Sequence, residues 1–168
     1  MRIDIWSDIV CPFCYVGKRN LEQALAEFEH RDEVEVVWHS FELDPSATEH
    51  PAGSLPEMIA GKYQMSLEQA IASQESLAER AREVGLDFNW RQARYGNTFD
   101  AHRVIHYAAE QGLASAAQEA FKLAYFTQGR SVQEHESILD IASEIGLDTA
   151  EVEAVLKSDR YAADVRAD

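Results

Sequence analysis

Alternating apolar and polar residues open the chain and predict a short β-strand over 2–6. A helical stripe of apolar residues follows from Pro12 to about His30. A second apolar run over 34–41 predicts another strand, which ends before Pro45 because proline cannot donate to a ladder. Strand, helix and strand in this order form a βαβ unit, so we expect parallel strands and a right-handed crossover.

Helical patterns dominate the rest of the sequence after a polar loop over 46–55. Capping residues mark several helix starts, with Ser66 before Gln69, Thr98, and Asp148 before Glu151. The predicted helices cover 56–63, 66–85, 98–112, 115–126, 134–145 and 148–156, and a last helical pattern begins after 158. Gly-Leu recurs at 85–86, 112–113 and 146–147, which predicts helix ends with left-handed glycine rather than an internal repeat.

Cys11 and Cys14 are the only cysteines, and they lie where the first predicted helix begins. Unpaired N–H groups give a helix N-terminus partial positive charge, which lowers the pKa of a thiol below its free value of roughly 8.5. Pro12 suits the first helical turn, where its missing N–H is no loss. This cysteine pair therefore predicts a reversible disulfide, with Cys11 as the more exposed and more acidic thiol.

Two other interpretations of the cysteine pair are open. Cys11 and Cys14 could form half of a zinc site, but a structural zinc ion usually has four ligands and no second Cys-x-x-Cys is present. His102 and His106 could add two nitrogens from one helical face, although such pairs are common on helix surfaces. Inert thiols are the third interpretation. The position at a helix start favours the redox pair, so we predict no metal site.

The charge and composition exclude several classes of partner. Lys and Arg number 15 against 30 Asp and Glu, which gives a formal net charge of -15. Such a surface repels nucleic acid and anionic membranes over a Debye length of about 8–10 Å. The apolar runs are too short to span a bilayer. Because the two cysteines allow no wider disulfide framework, we expect a cytoplasmic protein; the composition does not define its oligomeric state.

The sequence resembles the DsbA family of the thioredoxin superfamily, and within it the FrnE-like branch. The resemblance covers nearly the whole chain, and its matching stretches are 5–18 around the cysteines, 41–45, 97–103 and 124–130. It implies an α/β, thioredoxin-like fold with a large all-helical insertion. Under this interpretation, 1–45 form the N-terminal βαβ part, 46–157 form the insertion, and 158–168 begin the helix that returns to the thioredoxin-like domain.

Part of the family pattern has no counterpart in the sequence. The last two strands and the last helix of the thioredoxin core are missing, and so is the late cis-proline loop that helps to hold a substrate. The prolines are Pro12, Pro45, Pro51 and Pro56, and none lies late enough for that loop. We therefore expect the polypeptide to continue beyond Asp168 in the functional protein.

The resemblance also implies a role for each residue of the cysteine pair. Cys11 attacks and forms a mixed disulfide with a partner, and Cys14 releases that partner by internal attack. Pro12 and Phe13 tune the pair, and Phe13 offers neither charge nor hydrogen bond to a thiolate. We therefore expect a less oxidising protein than one with Cys-Pro-His-Cys. The expected partners are protein or small thiols and disulfides, with glutathione among them, and no cofactor is expected.

Other polar residues have a structural alternative beside a functional one. Asn97, His102 and Arg103 are candidates for a substrate cleft over the cysteine pair, and the alternative places them at a helix start and on a helix surface. His39 lies in a predicted strand, where a hydrogen-bonded core histidine is a better interpretation than a catalytic base.

Three functions compete, and a thiol–disulfide oxidoreductase is the leading hypothesis. A second is a glutathione-dependent isomerase or transferase, related to 2-hydroxychromene-2-carboxylate isomerase and kappa-class glutathione transferase. Such enzymes typically have serine at the position of Cys11 and lack the second cysteine, so the presence of Cys14 argues against this class. A non-catalytic module that binds a partner is the third hypothesis.

Overall fold

The computed structural model describes residues 1–48 and 53–168, so Pro51 and part of the predicted loop over 46–55 lie outside the described residues. Its elements are, in chain order, β1 (Arg2–Ser7), α1 (Pro12–Glu27), β2 (Glu35–Ser40), α2 (Leu55–Tyr63), α3 (Leu67–Glu83), α4 (Phe99–Glu110), α5 (Ala114–Phe126), α6 (His135–Glu144), α7 (Thr149–Leu156) and α8 (Ala162–Ala167). In the described ranges, no helix is long and apolar enough to cross a membrane.

The strands β1 and β2 pair in parallel, with Arg2 opposite Glu35 and Ser7 opposite Ser40. Helix α1 provides the crossover between them, so the predicted βαβ unit is confirmed. The helix ends at Glu27 rather than near His30, because the backbone of Phe28 is extended and a short 3₁₀ turn follows over Arg31–Glu33.

The main hydrophobic core lies among the helices rather than against the sheet. Fully buried apolar side chains come from α4 to α7, with Val104, Phe121, Ile138, Ile141 and Val152 as examples. Apolar residues of β1 and β2 are half-buried or exposed, and Ser7 and Ser40 are the buried residues of the two strands. The helical part therefore holds the fold together and supports the short sheet.

Most predicted helix ends are confirmed. Ser66 forms a capping box with Gln69 at the start of α3. Gly85, Gly112 and Gly146 have φ values of 78°, 74° and 83°, in the left-handed region that glycine tolerates. The leucine after each glycine donates its backbone N–H to a carbonyl five residues earlier, which is the hydrogen bond of a Schellman motif.

Two predicted caps differ from the structure. Thr98 precedes α4, but its side chain makes no capping hydrogen bond. The side chain of Asn97 replaces it, because its Oδ1 accepts the N–H of Phe99 at 2.8 Å. At α7, Asp148 caps through the N–H of Ala150 at 2.9 Å, without the predicted reciprocal bond from Glu151.

Candidate active site

The cysteine pair lies at the N-terminus of α1, next to the C-terminal end of β1. Cys11 is the N-cap residue, and its Sγ accepts the backbone N–H of Cys14 at 3.4 Å. Pro12 occupies the first turn, where the helix has no use for its missing N–H. Both thiols are free and half-buried. The N–H groups in the first turn of α1, those of Phe13 and Cys14, therefore favour a thiolate at Cys11.

A hydrogen bond between the two thiols shifts their pKa values in opposite directions. It is the largest cause of the lowered pKa of Cys14, at about 6, and of the raised pKa of Cys11. Burial opposes the shift at Cys14, whereas the Ser7 hydroxyl, the Asp8 backbone and the charge of Lys122 support it. The pair thus holds one thiolate below the usual pKa, and its second ionisation lies above that value. The two ionisations belong to the coupled pair, so the expectation that Cys11 is the more acidic thiol stays a prediction.

A buried carboxylate, Asp8, connects the segments around the cysteine pair. Its Oδ1 accepts the N–H of Ile9 and its Oδ2 accepts the N–H of Leu43, both at 2.7 Å. The Nε2 of His102 lies 3.3 Å from the same Oδ1. Burial raises the pKa of Asp8, but the His102 and Leu43 hydrogen bonds outweigh it and lower the pKa overall. Asp8 is therefore an anion that joins the loop before α1 to the segment after β2 and to α4.

A fully buried lysine, Lys122 of α5, lies against the same segment. Its Nζ donates to the backbone oxygen of Asp8 at 3.1 Å and to Oε1 of Gln118 at 2.8 Å. Burial is the largest influence on the Lys122 amine and lowers its pKa to about 8. The sequence analysis missed this residue. The sequence did contain a signal for the burial of Lys122. It follows Phe121 directly and lies four residues after Gln118, on the buried face of α5.

A cavity of about 590 Å³ opens beside Cys11, Pro12 and Phe13. Helices α2 and α3 form much of its wall, and most of the lining is apolar, as with Leu43, Met58, Ile59, Leu77, Tyr95 and Phe126. Lys62 and Arg80 add two cations to the wall. Phe13 keeps 66% of its surface exposed at the edge of this space. The cavity therefore offers an apolar bed for a substrate whose sulfur reaches Cys11.

The three residues predicted for a substrate cleft lie in different places. Asn97 is half-buried, and its neighbours Gly96 and Thr98 line the cavity. His102 is fully buried and reaches the cysteine pair only through Asp8. Arg103 is also buried, and it donates to the backbone oxygens at the end of α7. The alternative interpretation of His102 and Arg103 as helix-surface groups is wrong, because both side chains have partners inside the protein.

Within the described residues, the other histidines also have hydrogen-bond partners. His39 lies between two carboxylates, with Nε2 2.8 Å from Asp4 and Nδ1 2.9 Å from Asp168. The bond to Asp4, followed by that to Asp168, raises the pKa of His39. His106 lies 3.0 Å from the hydroxyl of Ser40. Across residues 1–48 and 53–168, no group of three or more His, Cys, Asp or Glu side chains could hold a metal ion.

Residues 2–168 match the family of DSBA-like thioredoxin domains. The chain belongs to this family. A probable DsbA oxidoreductase from Streptomyces coelicolor is 46% identical, and the match covers 100% of this chain and 73% of that protein with a TM-score of 0.95. The predicted DsbA family and the predicted α/β, thioredoxin-like fold with a large helical part are therefore confirmed.

Two more distant structures share the fold of this DsbA-like chain. A 2-hydroxychromene-2-carboxylate isomerase is 18% identical, with a TM-score of 0.69 over 99% of this chain and 78% of its own. The cytosolic disulfide reductase DsbM from Pseudomonas aeruginosa is 17% identical, with a TM-score of 0.65 over 99% of this chain and 76% of its own. DsbM has also been solved with glutathione. At this identity the likeness concerns the fold alone.

Proposed function

We propose that this DsbA-like protein is a thiol–disulfide oxidoreductase whose redox pair is Cys11 and Cys14. The observation that carries the proposal is the pair of free thiols at the start of α1, where the Sγ of Cys11 accepts the backbone N–H of Cys14. One of them has a pKa of about 6, which keeps a thiolate present at neutral pH. Cys11 lines the cavity and Cys14 does not, which supports Cys11 as the attacking residue.

The reaction begins from the reduced pair, which carries one thiolate and one thiol proton. When that proton lies on Cys14, the Cys11 thiolate attacks a substrate disulfide R–S–S–R′. The substrate S–S bond breaks, a mixed disulfide Cys11–S–S–R forms, and R′–S⁻ leaves. Attack by Cys14 on the Sγ of Cys11 closes the intramolecular disulfide and releases R–S⁻. The protein loses two electrons, and the substrate disulfide gains them. The reverse sequence oxidises a substrate dithiol.

Protein or small thiols and disulfides are the proposed substrates, and glutathione is among the candidates. The apolar lining of the cavity and the exposed ring of Phe13 suit an apolar segment next to the reacting sulfur. Arg80 suits a carboxylate on the same molecule, whereas Lys62 is already paired with Asp44. The distant reductase DsbM has been solved with glutathione, which supports a trial of this tripeptide. The small number of cysteines supports a cytoplasmic location.

The test uses insulin reduction together with trapping of a mixed disulfide. We expect Cys11→Ser to abolish disulfide exchange and Cys14→Ser to accumulate a covalent adduct, because release needs the second thiol. Mass spectrometry of the non-reduced protein measures the adduct. Trapping by Cys11→Ser but not by Cys14→Ser would reverse the assignment of the two cysteines.

The two competing functions have their own readouts. A glutathione-dependent isomerase or transferase needs no second cysteine, so conjugation activity that survives Cys14→Ser would favour that class. A non-catalytic module would bind its partner without reducing insulin. The match to an isomerase at 18% identity supports only the shared fold, so the oxidoreductase is the preferred proposal.

A further inference from the structure

The release step of the proposed function requires a group that accepts the proton of Cys14. When the Cys11 thiolate attacks a substrate, the one remaining proton of the pair lies on Cys14, which is a neutral thiol. That thiol must lose its proton before it attacks the mixed disulfide, because the thiolate is the nucleophile. Cys14 does not line the cavity, whereas Cys11 does. A proton acceptor inside the protein is therefore better placed for Cys14 than a base that arrives with the substrate.

The surroundings of Lys122 differ from those of an ordinary buried lysine. Its Nζ is bound by two neutral oxygens, from the Asp8 backbone and the Gln118 side chain. An ammonium has three N–H donors, so these two acceptors leave one donor unused. Within the described ranges, Lys122 forms no ion pair with a carboxylate, whereas the buried Lys18 pairs with both Glu22 and Glu119. Burying a cation without a charged partner is costly, so an anion supplied by the site would stabilise it.

We propose that Lys122 is the counter-ion of the Cys14 thiolate and the acceptor of its proton in the release step. The inference rests on the proposed function of the cysteine pair. Among the negative groups around Lys122, Cys14 raises the pKa of the amine most, ahead of Asp8 and Cys11. The charge of Lys122 in turn helps to lower the pKa of Cys14. Each group therefore favours the charged form of the other.

The proposed step conserves protons and electrons. At neutral pH the mixed disulfide begins with a neutral Cys14 thiol and a Lys122 ammonium, so the ammonium first gives one proton to water. The resulting amine then takes the proton of Cys14, which gives an ammonium and a thiolate. The thiolate attacks the Sγ of Cys11, the bond between Cys11 and the substrate sulfur breaks, and its electron pair leaves with that sulfur. The released substrate thiolate takes a proton from water. Burial keeps the pKa of Lys122 near 8, so the neutral amine is accessible close to neutral pH.

Several charged or titratable groups surround Lys122. Lys122 contacts the backbone oxygen of Asp8 in the loop before α1, and His102 of α4 contacts the Asp8 carboxylate. Cys11 caps α1, which contributes Cys14 and Lys18, and the positive charge of Lys18 lowers the pKa of Lys122. Cys14, Asp8 and Cys11 raise the pKa of Lys122, but the effect of burial is larger and the pKa is lowered overall. Only the thiols change charge during the reaction, so they are the groups that couple Lys122 to the redox state.

The first experiment titrates Cys14 as the lone thiol, with and without the amine. Thiolate absorbance against pH is compared between Cys11→Ser and the double variant Cys11→Ser/Lys122→Met. We expect the Cys14 pKa to rise by at least one unit without the amine, which is about a tenfold loss in the ionisation equilibrium. An unchanged pKa in a folded double variant would overturn the proposal.

The second experiment measures the release rate from a mixed disulfide in Lys122→Met with both cysteines present. We expect release to slow by about tenfold at pH 7 and to recover at alkaline pH, where hydroxide replaces the amine as acceptor. Lys18→Met is the matched control, because Lys18 is also buried but has two carboxylate partners. We expect Lys18→Met to lower the free energy of unfolding without raising the pKa of Cys14. Equal effects of the two lysine variants would show a general packing defect and contradict the proposal.

A third measurement needs no substitution and stays informative if Lys122→Met does not fold. NMR titration of the Lys122 side chain in the unaltered protein compares the reduced and oxidised forms. We expect a lower Lys122 pKa after oxidation, because the disulfide removes the thiolate that favours the ammonium. The same pKa in both forms would refute the coupling. None of these titrations requires a substrate, so absent insulin reduction would count against the proposed function alone.

Discussion

At the residue scale, Asp8 is the group on which the geometry of the cysteine pair depends. One carboxylate accepts hydrogen bonds from the N–H groups of Ile9 and Leu43 and contacts His102. These partners come from the loop before α1, the segment after β2, and α4. Loss of the negative charge would leave three donors around a neutral group in a buried place, which weakens each of these contacts.

We expect Asp8→Asn to lower the free energy of unfolding by about 2 kcal/mol at pH 7, the typical contribution of hydrogen bonds to a charged group. The lowered pKa of Asp8 means that this stabilisation is present above the unfolded pKa, roughly 3.9, and is lost as pH falls through the folded pKa. Urea unfolding at pH 7 and pH 3 measures the difference. Asp44→Asn is the control, because Asp44 is half-buried and contacts Ser46 and Lys62 near the surface, and it should lower the free energy of unfolding by less.

A second residue-scale prediction concerns Phe13, which is largely exposed beside Cys11. We expect Phe13→His to raise the reduction potential, because an imidazolium stabilises the thiolate and thereby the reduced form. A tenfold shift in the equilibrium with glutathione corresponds to about 30 mV. The effect should grow as pH falls through the histidine pKa, and Phe13→Leu should leave the potential unchanged. A Phe13→His potential equal to that of the unaltered protein would rule out this tuning role.

Single residues show where sequence reasoning succeeds and where it stops. The position of Cys11 and Cys14 at a helix start was predictable, because it follows from one local feature, the apolar pattern after Pro12. The burial of Lys122, His102 and Arg103 depends on partners 52 to 114 residues away in sequence. A polar residue in a helical pattern is ordinarily placed on the surface, and only the tertiary contacts reveal the exceptions.

At the element scale, a polar cluster fastens α1 to α5 next to the cysteine pair. Glu119 of α5 accepts hydrogen bonds from the hydroxyl of Tyr15 at 2.7 Å and from Nζ of Lys18 at 2.6 Å, and it also binds Arg19. The helix that carries the thiols is thereby held on the helix that carries Lys122. Helix ends were predictable because caps and glycines are local signals, whereas this cross-link joins residues about 100 positions apart.

Glu119→Gln should lower the free energy of unfolding by about 1–2 kcal/mol at pH 7, less than the loss of a fully buried ion pair because Glu119 is partly exposed. Burial raises the pKa of Glu119, but Arg19, Lys18 and Tyr15 lower it overall to about 2. The stabilisation is therefore present above the unfolded pKa, roughly 4.3, and is lost as pH falls toward 2. Thermal unfolding over pH 2–7 measures it. Glu22→Gln removes a more exposed carboxylate of the cluster, so it should lower the free energy of unfolding by less than Glu119→Gln does.

At the scale of the whole molecule, the cysteine pair lies at the junction between a small sheet and a large helical core. The cavity beside Cys11 combines residues from Asp8 to Phe126, drawn from the loops around the sheet and from α2, α3 and α5. The fold was predictable because the stretches around the cysteines resemble a family with a known arrangement. The cavity was not predictable from the sequence, because its walls come from distant segments whose relative positions are fixed only by packing.

The same junction couples the redox state to the stability of the entire chain. In the reduced protein, one thiol of the pair has a folded pKa of about 6, whereas an unfolded thiol titrates near 8.5. Between these values the unfolded chain binds more protons than the folded one, so the stability of the reduced form rises with pH. Above about pH 8.5 the unfolded chain loses both thiol protons while the raised pKa of Cys11 keeps one on the folded pair, so the gain declines again.

The melting temperature of the reduced protein, minus that of the oxidised protein, should therefore rise from pH 6 to a maximum near pH 8.5 and then fall. The oxidised form lacks both titrating thiols. Subtracting its melting temperature therefore cancels the pH dependence that comes from carboxylates and histidines, because these groups titrate in both forms. A shift of about 2–4 °C per kcal/mol is expected for a chain of this size. Differential scanning calorimetry of both forms across pH 5–10 measures it. The variant Cys11→Ser/Cys14→Ser should show no dependence on added reductant, and a flat difference for the unaltered protein would show that neither thiol has a shifted pKa.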